Sequence, residues 1–270
     1  MEEPKSLAAQ ELFSWGEERV LKYLLEHDRP EWDMLRCHPA FTPKWVIYFL
    51  ERHRALPGEA VADIYKNREL RGNYQVARAM VANRATPQGM AMNLVPRLRW
   101  GDLVKILRMP HLAGGVKLRI EKHMNEILPR MELGQKVALA RQAPRALVRL
   151  LRMAEEPQVM RALLQNQYFT YEDALFLASY SGITPRILGV VAAHARWNQF
   201  KEVKRALLRN ARTPRAAVLG LARGLTEHDL RQLMQDPGLP VYTRRIMVQL
   251  LSERYDPAKR ATLRGKKPRN

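Results

Sequence analysis

Apolar residues along this chain recur at three- and four-residue spacing, which predicts helices and gives no convincing strand. Each of Thr42–Pro43, Thr86–Pro87, Thr184–Pro185 and Thr213–Pro214 opens one such run. Threonine at an N-cap accepts a hydrogen bond from a first-turn amide. Proline just inside the helix loses nothing there, because its amide would be unpaired anyway. Thr170–Tyr171 fills the same slot without proline. Just upstream stand His38–Pro39, Asn83–Arg84, Asn166–Gln167 and Asn210–Ala211. Asparagine suits a left-handed residue that ends a helix, so each junction reads as one helix stopping and the next starting. The predicted segments are 43–54, 57–67, 72–83, 87–98, 101–108, 114–128, 131–142, 144–154, 157–166, 171–180, 184–195, 197–210, 214–223, 227–235 and 240–255. An earlier helix is expected over 7–27, with Leu12, Phe13, Val20, Tyr23, Leu24 and Leu25 on one side and acids on the other.

The pattern also repeats. At an offset of 127, Val76–Arg78–Ala79–Met80 meets Val203–Arg205–Ala206–Leu207, Asn83 meets Asn210, Asp102–Leu103 meets Asp229–Leu230, and Pro110 meets Pro237. An offset of 128 aligns Phe41–Thr42 with Phe169–Thr170 and Pro57 with Pro185. Unit starts fall near Pro43, Pro87, Arg130, Tyr171 and Pro214, a spacing of about 43 residues, each unit holding three helices. The expected architecture is all-α, a right-handed solenoid of about five three-helix units near 43–86, 87–129, 130–170, 171–213 and 214–255. An acidic N-terminal helical cap over 1–41 precedes the array over 42–255.

Three-helix units of this length resemble the armadillo and HEAT α-solenoids. The stretch from Leu133 through Asn166 also resembles HEAT-like bacterial proteins of unassigned function. The likeness covers about residues 34–255 and rests on period and capping. It implies a binding surface, with the third helix of each unit lining a concave groove. Arg78, Lys117, Lys122, Arg161, Lys201, Arg205 and Arg244 would then face that groove together. Importin-type peptide grooves carry a Trp-x-x-x-Asn ladder, whereas Trp197 is followed four residues on by Lys201.

Charge adds a class of partner. Lys and Arg number 46 against 27 Asp and Glu, a net +19. Residues 1–33 run the other way, with nine acids and four bases. Residues 256–270 are basic, hold Pro257, Gly265 and Pro268, and are expected to be disordered. Arg145, Arg149 and Arg152 share one helix face opposite Leu147, Leu150 and Leu151, with Arg141 just before them. Lys201, Arg205 and Arg209 form a second stripe, widened by Lys204. Solvated faces account for any single stripe, but the excess runs along the whole array. A basic groove suits phosphate backbones, through contacts that release counterions without reading sequence.

Little points to chemistry. There is no phosphate loop, Gly-x-Ser-x-Gly or His-Glu-x-x-His, and no cofactor or metal is expected. Cys37, the one cysteine, reads as structural or inert. No run of about 20 uncharged apolar residues is present, so no spanning helix is expected. With no signal pattern after Glu2 and Glu3, a cytoplasmic location is expected. Asp102 with Trp100 is the most tempting catalytic pair, because alkylpurine DNA glycosylases of the HEAT-like class use an aspartate and tryptophans on a basic concave surface. The repeat favours a structural role for Asp102, since Asp229 recurs in its position three residues after Thr226, at capping-box spacing. Trp15, Trp45 and Trp197 read as core, while Trp100 has no aromatic counterpart. The sequence thus favours a non-enzymatic scaffold binding nucleic acid or another polyanion. The alternatives are a scaffold for an acidic protein and a glycosylase.

Overall fold

The structure, a computed structural model, describes residues 14–26, 32–52 and 56–255. The chain is all-α, with no strand among the described residues. Helix packing divides it into two units between Arg130 and Met131. The first contains α1 (Glu17–Glu26), α2 (Trp32–Arg36), α3 (Pro43–Arg52), α4 (Gly58–Lys66), α5 (Arg68–Gly72), α6 (Tyr74–Ala82), α7 (Gln88–Leu94, continued by a 3-10 turn at Val95–Arg97), α8 (Trp100–Leu107) and α9 (Gly114–Ile127). The second contains α10 (Leu133–Gln142), α11 (Arg145–Leu151), α12 (Pro157–Leu164), α13 (Tyr171–Ser179), α14 (Pro185–Ala193), α15 (Ala195–Asn198), α16 (Lys201–Arg209), α17 (Arg215–Arg223), α18 (Glu227–Met234) and α19 (Val241–Tyr255).

Most of these helices follow the predicted segments, but α2 and most of α5 lie outside all of them, and two segments are divided. The segment over 72–83 divides at Asn73, whose side chain accepts from the amides of Gln75 (2.9 Å) and Val76 (3.2 Å) and starts α6 afresh. The segment over 197–210 divides between α15 and α16. The early part of the 7–27 helix and the 256–270 tail lie outside the described residues.

Packing is local in chain order. In the first unit α3 packs on α1 and α6, α6 packs on α7, and α7 packs on α9. In the second, α10 packs on α12, α12 on α14, α13 on α16, and α17 on α19. The buried sides are those that the periodicity marks. Val76, Met80, Leu103 and Ile120 are shut off in the first unit, and Leu147, Leu163, Leu188 and Leu207 in the second. Each such side chain contributes about 1.5–3 kcal/mol by leaving water. Trp15, Trp45 and Trp197 are core residues, and the Trp197 indole donates to the Leu164 carbonyl at 2.9 Å.

The junctions work differently from their expected chemistry. Asn83 and Asn210 end α6 and α16 in extended, not left-handed, conformation, and no non-glycine residue with positive φ occurs among the described residues. Their side chains act as clamps. The Asn83 side-chain oxygen accepts from the Ala85 amide (2.7 Å), while its nitrogen donates to the Leu50 carbonyl at the end of α3. Asn210 does the same with the Arg212 amide (3.0 Å) and the Ala178 carbonyl (2.9 Å). Buried Asn166 accepts from the Tyr168 amide (2.7 Å) and donates toward the carbonyls of Ala140, Ala143 and Arg141. Helix-terminal carbonyls lack intrahelical partners, and an asparagine two or three helices further along the chain supplies one.

The Thr-Pro threonines also depart from the capping rule. The hydroxyls of Thr42, Thr86 and Thr184 have no hydrogen-bond partner among the described residues, and that of Thr213 donates back to the Leu207 carbonyl. Ahead of α7 and α17 the proline itself takes the capping position, with ψ of 135° at Pro87 and at Pro214, so the threonine sits one residue too early.

Candidate functional site

Three aspartates in the first turns of helices organise the polar chemistry. Asp102 lies on α8, Asp173 on α13 and Asp229 on α18. Each takes a donor from the side chain 28 residues upstream: Tyr74, Arg145 and Lys201. Asp173 also pairs with Arg152 (3.0 Å), and Asp229 with Arg205 (2.6 Å). The Thr170 amide donates to Asp173 at 3.0 Å, and the Thr226 hydroxyl donates to Asp229 at 2.7 Å. Asp229 thus completes the predicted capping box. Burial works to raise the pKa of both carboxyls, but these donors outweigh it and hold both below the ordinary range.

Asp102 departs from this pattern. Arg99 stands where Thr226 would be, so no hydroxyl caps the helix and no box forms. The Tyr74 hydroxyl substitutes from the preceding layer, accepting from the Arg99 amide (3.1 Å) and donating to Asp102 (2.5 Å). Arg78, the counterpart of Arg205, turns to Glu51 (2.9 Å), and Lys105 stays 3.6 Å from the Asp102 carboxylate. The Tyr74 hydrogen bond is the main cause of a lowered Asp102 pKa, with Lys105 and Arg78 adding to it. Burial and the same bond raise the Tyr74 pKa. The Asp102 side chain is 18 % exposed, against 0 % for Asp173 and 2 % for Asp229.

That exposure opens onto a cavity of about 550 Å³ in the first unit. Its wall carries ionic groups from Glu51, Arg78, Asp102 and Lys105 and apolar ones from Ala82, Ile106 and Met109, with Arg84 and His111 also on it. The size suits a small ligand. A counterpart of about 470 Å³ lies in the second unit, where Arg205, Ala206, Arg209 and Asn210 repeat Arg78, Ala79, Ala82 and Asn83. Asp229 is not on its wall. Trp100, half-buried at the start of α8, does not line the Asp102 cavity, so the structure does not bring that pair together there.

Of the predicted polyanion-binding residues, Arg78, Lys117 and Lys122 lie in the first unit and the other nine in the second. Arg145, Arg152, Lys201 and Arg205 hold the buried aspartates. Arg209 pairs with Asp236 at 2.7 Å. Lys204 donates to the Gly224 carbonyl (3.1 Å), and Arg244 to the carbonyls of Met234 and Asp236. Arg149 and Arg161 are exposed, as is Lys122, and Lys117 is half-buried. Arg145 and Arg152 of the predicted stripe therefore belong to the recurring aspartate clamp, and Arg149 between them stays exposed. The cavity and the 28-residue spacing escaped the sequence reading. The spacing was present as Tyr74/Asp102, Arg145/Asp173 and Lys201/Asp229, but the donor type changes each time.

Cys37 is exposed rather than buried. Among the described residues no three His, Cys, Asp or Glu side chains are grouped to hold a metal ion, and no helix is long and apolar enough to cross a membrane. No family model, curated protein or solved structure matches the chain.

Proposed function

We propose that the chain is a non-enzymatic α-solenoid of the armadillo/HEAT kind, built from about five three-helix units, that binds a polyanion, nucleic acid first. Packing of each helix on near neighbours in chain order supports the solenoid, as does the donor-to-aspartate spacing of 28 residues.

One observation carries the binding reading. In the second unit the buried carboxylates Asp173 and Asp229 are each already neutralised by two cations. Arg141, Arg149, Arg161, Arg186 and Arg245 remain exposed, with no carboxylate paired to them among the described residues. Exposed Lys and Arg outnumber exposed Asp and Glu among the described residues of that unit, so the charge facing solvent is positive and attracts phosphates. The test is a salt titration of binding to a labelled DNA duplex. Affinity falls log-linearly with salt, by a slope of roughly 0.9 per phosphate contact. The double variant Arg149→Glu/Arg161→Glu lowers that slope. No binding at low salt, or binding without a slope, overturns the reading and leaves an acidic protein as the partner.

A second reading, an alkylpurine DNA glycosylase, is favoured by Asp102 standing ionised on a cavity wall. It requires base release from alkylated DNA that Asp102→Asn abolishes.

A further inference from the structure

The two cavities occupy equivalent positions, and the substitutions between them bear on what the first one holds. In the second unit, Lys201 and Arg205 close over Asp229, and Arg209 reaches Asp236 (2.7 Å) beside them. In the first unit Tyr74 replaces Lys201, Ala82 replaces Arg209 and Met109 replaces Asp236. Arg78 remains but is turned to Glu51. The Arg209–Asp236 ion pair is replaced by the apolar Ala82 and Met109, and the recurring aspartate has come out onto the wall. Both units keep a cavity here, and the difference is that this aspartate stands on the wall of the first alone.

The chemistry left behind is specific. Asp102 is an acceptor-only group with two oxygens. One accepts from Tyr74, and the other has only Lys105, at 3.6 Å. Spare lone pairs therefore point to a ligand with N–H donors. Lys105 and Arg78 beside it donate and suit a carbonyl oxygen. Ala82, Ile106 and Met109 offer an apolar bed for a flat body, and Arg84 on the same wall offers a cation for a phosphate.

Resting on the nucleic-acid reading above, we infer that this cavity takes one unpaired nucleobase carrying adjacent ring and exocyclic N–H donors, which among the natural bases is guanine. The Asp102 carboxylate accepts the two N–H groups, Lys105 or Arg78 donates to the carbonyl, and the ring lies on Ala82, Ile106 and Met109. The polyanion bound by such a chain is single-stranded at this point. A bidentate contact of this kind discriminates by about tenfold or more between bases. The same chemistry has two sources, a free nucleotide or one within a strand.

The experiment measures anisotropy of the full chain with a labelled thymidine 12-mer, and with the same oligomer carrying one central dG, across a salt series. GMP is titrated separately. The wild type binds the dG oligomer about tenfold tighter at equal salt. The double variant Ala82→Arg/Met109→Asp, which rebuilds the second unit's ion pair across the recess, loses that gain while its salt slope on the thymidine oligomer is unchanged. Asp102→Asn, a milder change, loses the gain as well, so a folding defect in the double variant leaves the inference testable. Equal affinity for both oligomers in the wild type, or a gain that survives Asp102→Asn, overturns the inference while the nucleic-acid reading stands. GMP binding that Asp102→Asn removes, with neither oligomer bound at low salt, keeps the cavity's specificity and overturns the nucleic-acid reading.

Discussion

The Tyr74 hydroxyl donates to the Asp102 carboxylate at 2.5 Å across 28 residues of chain, and so does for Asp102 what the Thr226 hydroxyl does for Asp229 from its own helix. The substitution moves the aspartate's support from a local cap to the neighbouring layer, and it frees one carboxylate edge. Tyr74→Phe removes the hydroxyl with little change of shape. It is expected to lower stability by about 1 kcal/mol and to let the Asp102 pKa rise toward its ordinary value, because that hydrogen bond is the main cause of the depression. Carboxyl titration by NMR on both proteins checks this. An unmoved Asp102 titration would mean that Lys105 and Arg78, not Tyr74, hold it ionised.

Asp173 and Asp229 should make the second unit acid-sensitive. Both have folded-state pKa values below the unfolded value of about 3.9, despite burial, because Arg145 in one case and Lys201 in the other bond the charged form. The sign follows from proton linkage. The stabilisation is present above the unfolded pKa and is lost as pH falls through the folded values. Asp229→Asn removes the charge from a buried clamp and leaves Lys201 and Arg205 facing a neutral amide, at an expected cost of about 3 kcal/mol near pH 7. The gap between variant and parent should narrow progressively as pH falls below about 4. Urea midpoints measured from pH 7 downward test it, and a constant gap at every pH would contradict the linkage.

Helix positions were legible because proline and asparagine punctuate this chain so regularly. What those residues do was not. Asn83 reads from sequence as a local stop, but its side-chain nitrogen reaches the Leu50 carbonyl 33 residues away, and a single junction carries no trace of that partner. The threonine rule holds at Thr226, where no proline follows, and fails at Thr86, where Pro87 takes the capping place. The 127-residue offset marked Asp102 as scaffold because Asp229 recurs. It could not show that Asp102, unlike Asp229, stands on a cavity wall, since that depends on how the surrounding side chains pack and leaves no motif.

Asn166, buried, supports four backbone groups. Its side chain donates toward three carbonyls, Ala140 (2.8 Å), Ala143 (3.0 Å) and Arg141 (3.2 Å), and accepts from the Tyr168 amide (2.7 Å). Asn166→Ala leaves buried polar groups unsatisfied, at an expected cost of about 3 kcal/mol. The same change at Asn210, a half-buried site, should cost about 1 kcal/mol. Asn166→Asp keeps the acceptor for Tyr168 but turns a negative charge on the carbonyls, so it should be at least as damaging as alanine. Thermal or urea unfolding of the three variants ranks them, and equal losses at Asn166 and Asn210 would contradict the burial argument.

Two threonines in equivalent junctions should respond oppositely to valine. Both side chains are buried, and valine matches threonine in shape while lacking the hydroxyl. At Thr213 the hydroxyl donates to the Leu207 carbonyl, so Thr213→Val breaks a buried hydrogen bond and should cost about 1 kcal/mol. At Thr86 the hydroxyl has no partner among the described residues, because Pro87 has displaced it from the capping position. A buried hydroxyl without a partner is itself a penalty. Thr86→Val should therefore be neutral or stabilising by a few tenths of a kcal/mol. Differential scanning calorimetry on the pair decides it. A loss at Thr86 as large as that at Thr213 would show that the Thr86 hydroxyl is bonded in solution, and that the threonine, not the proline, caps α7.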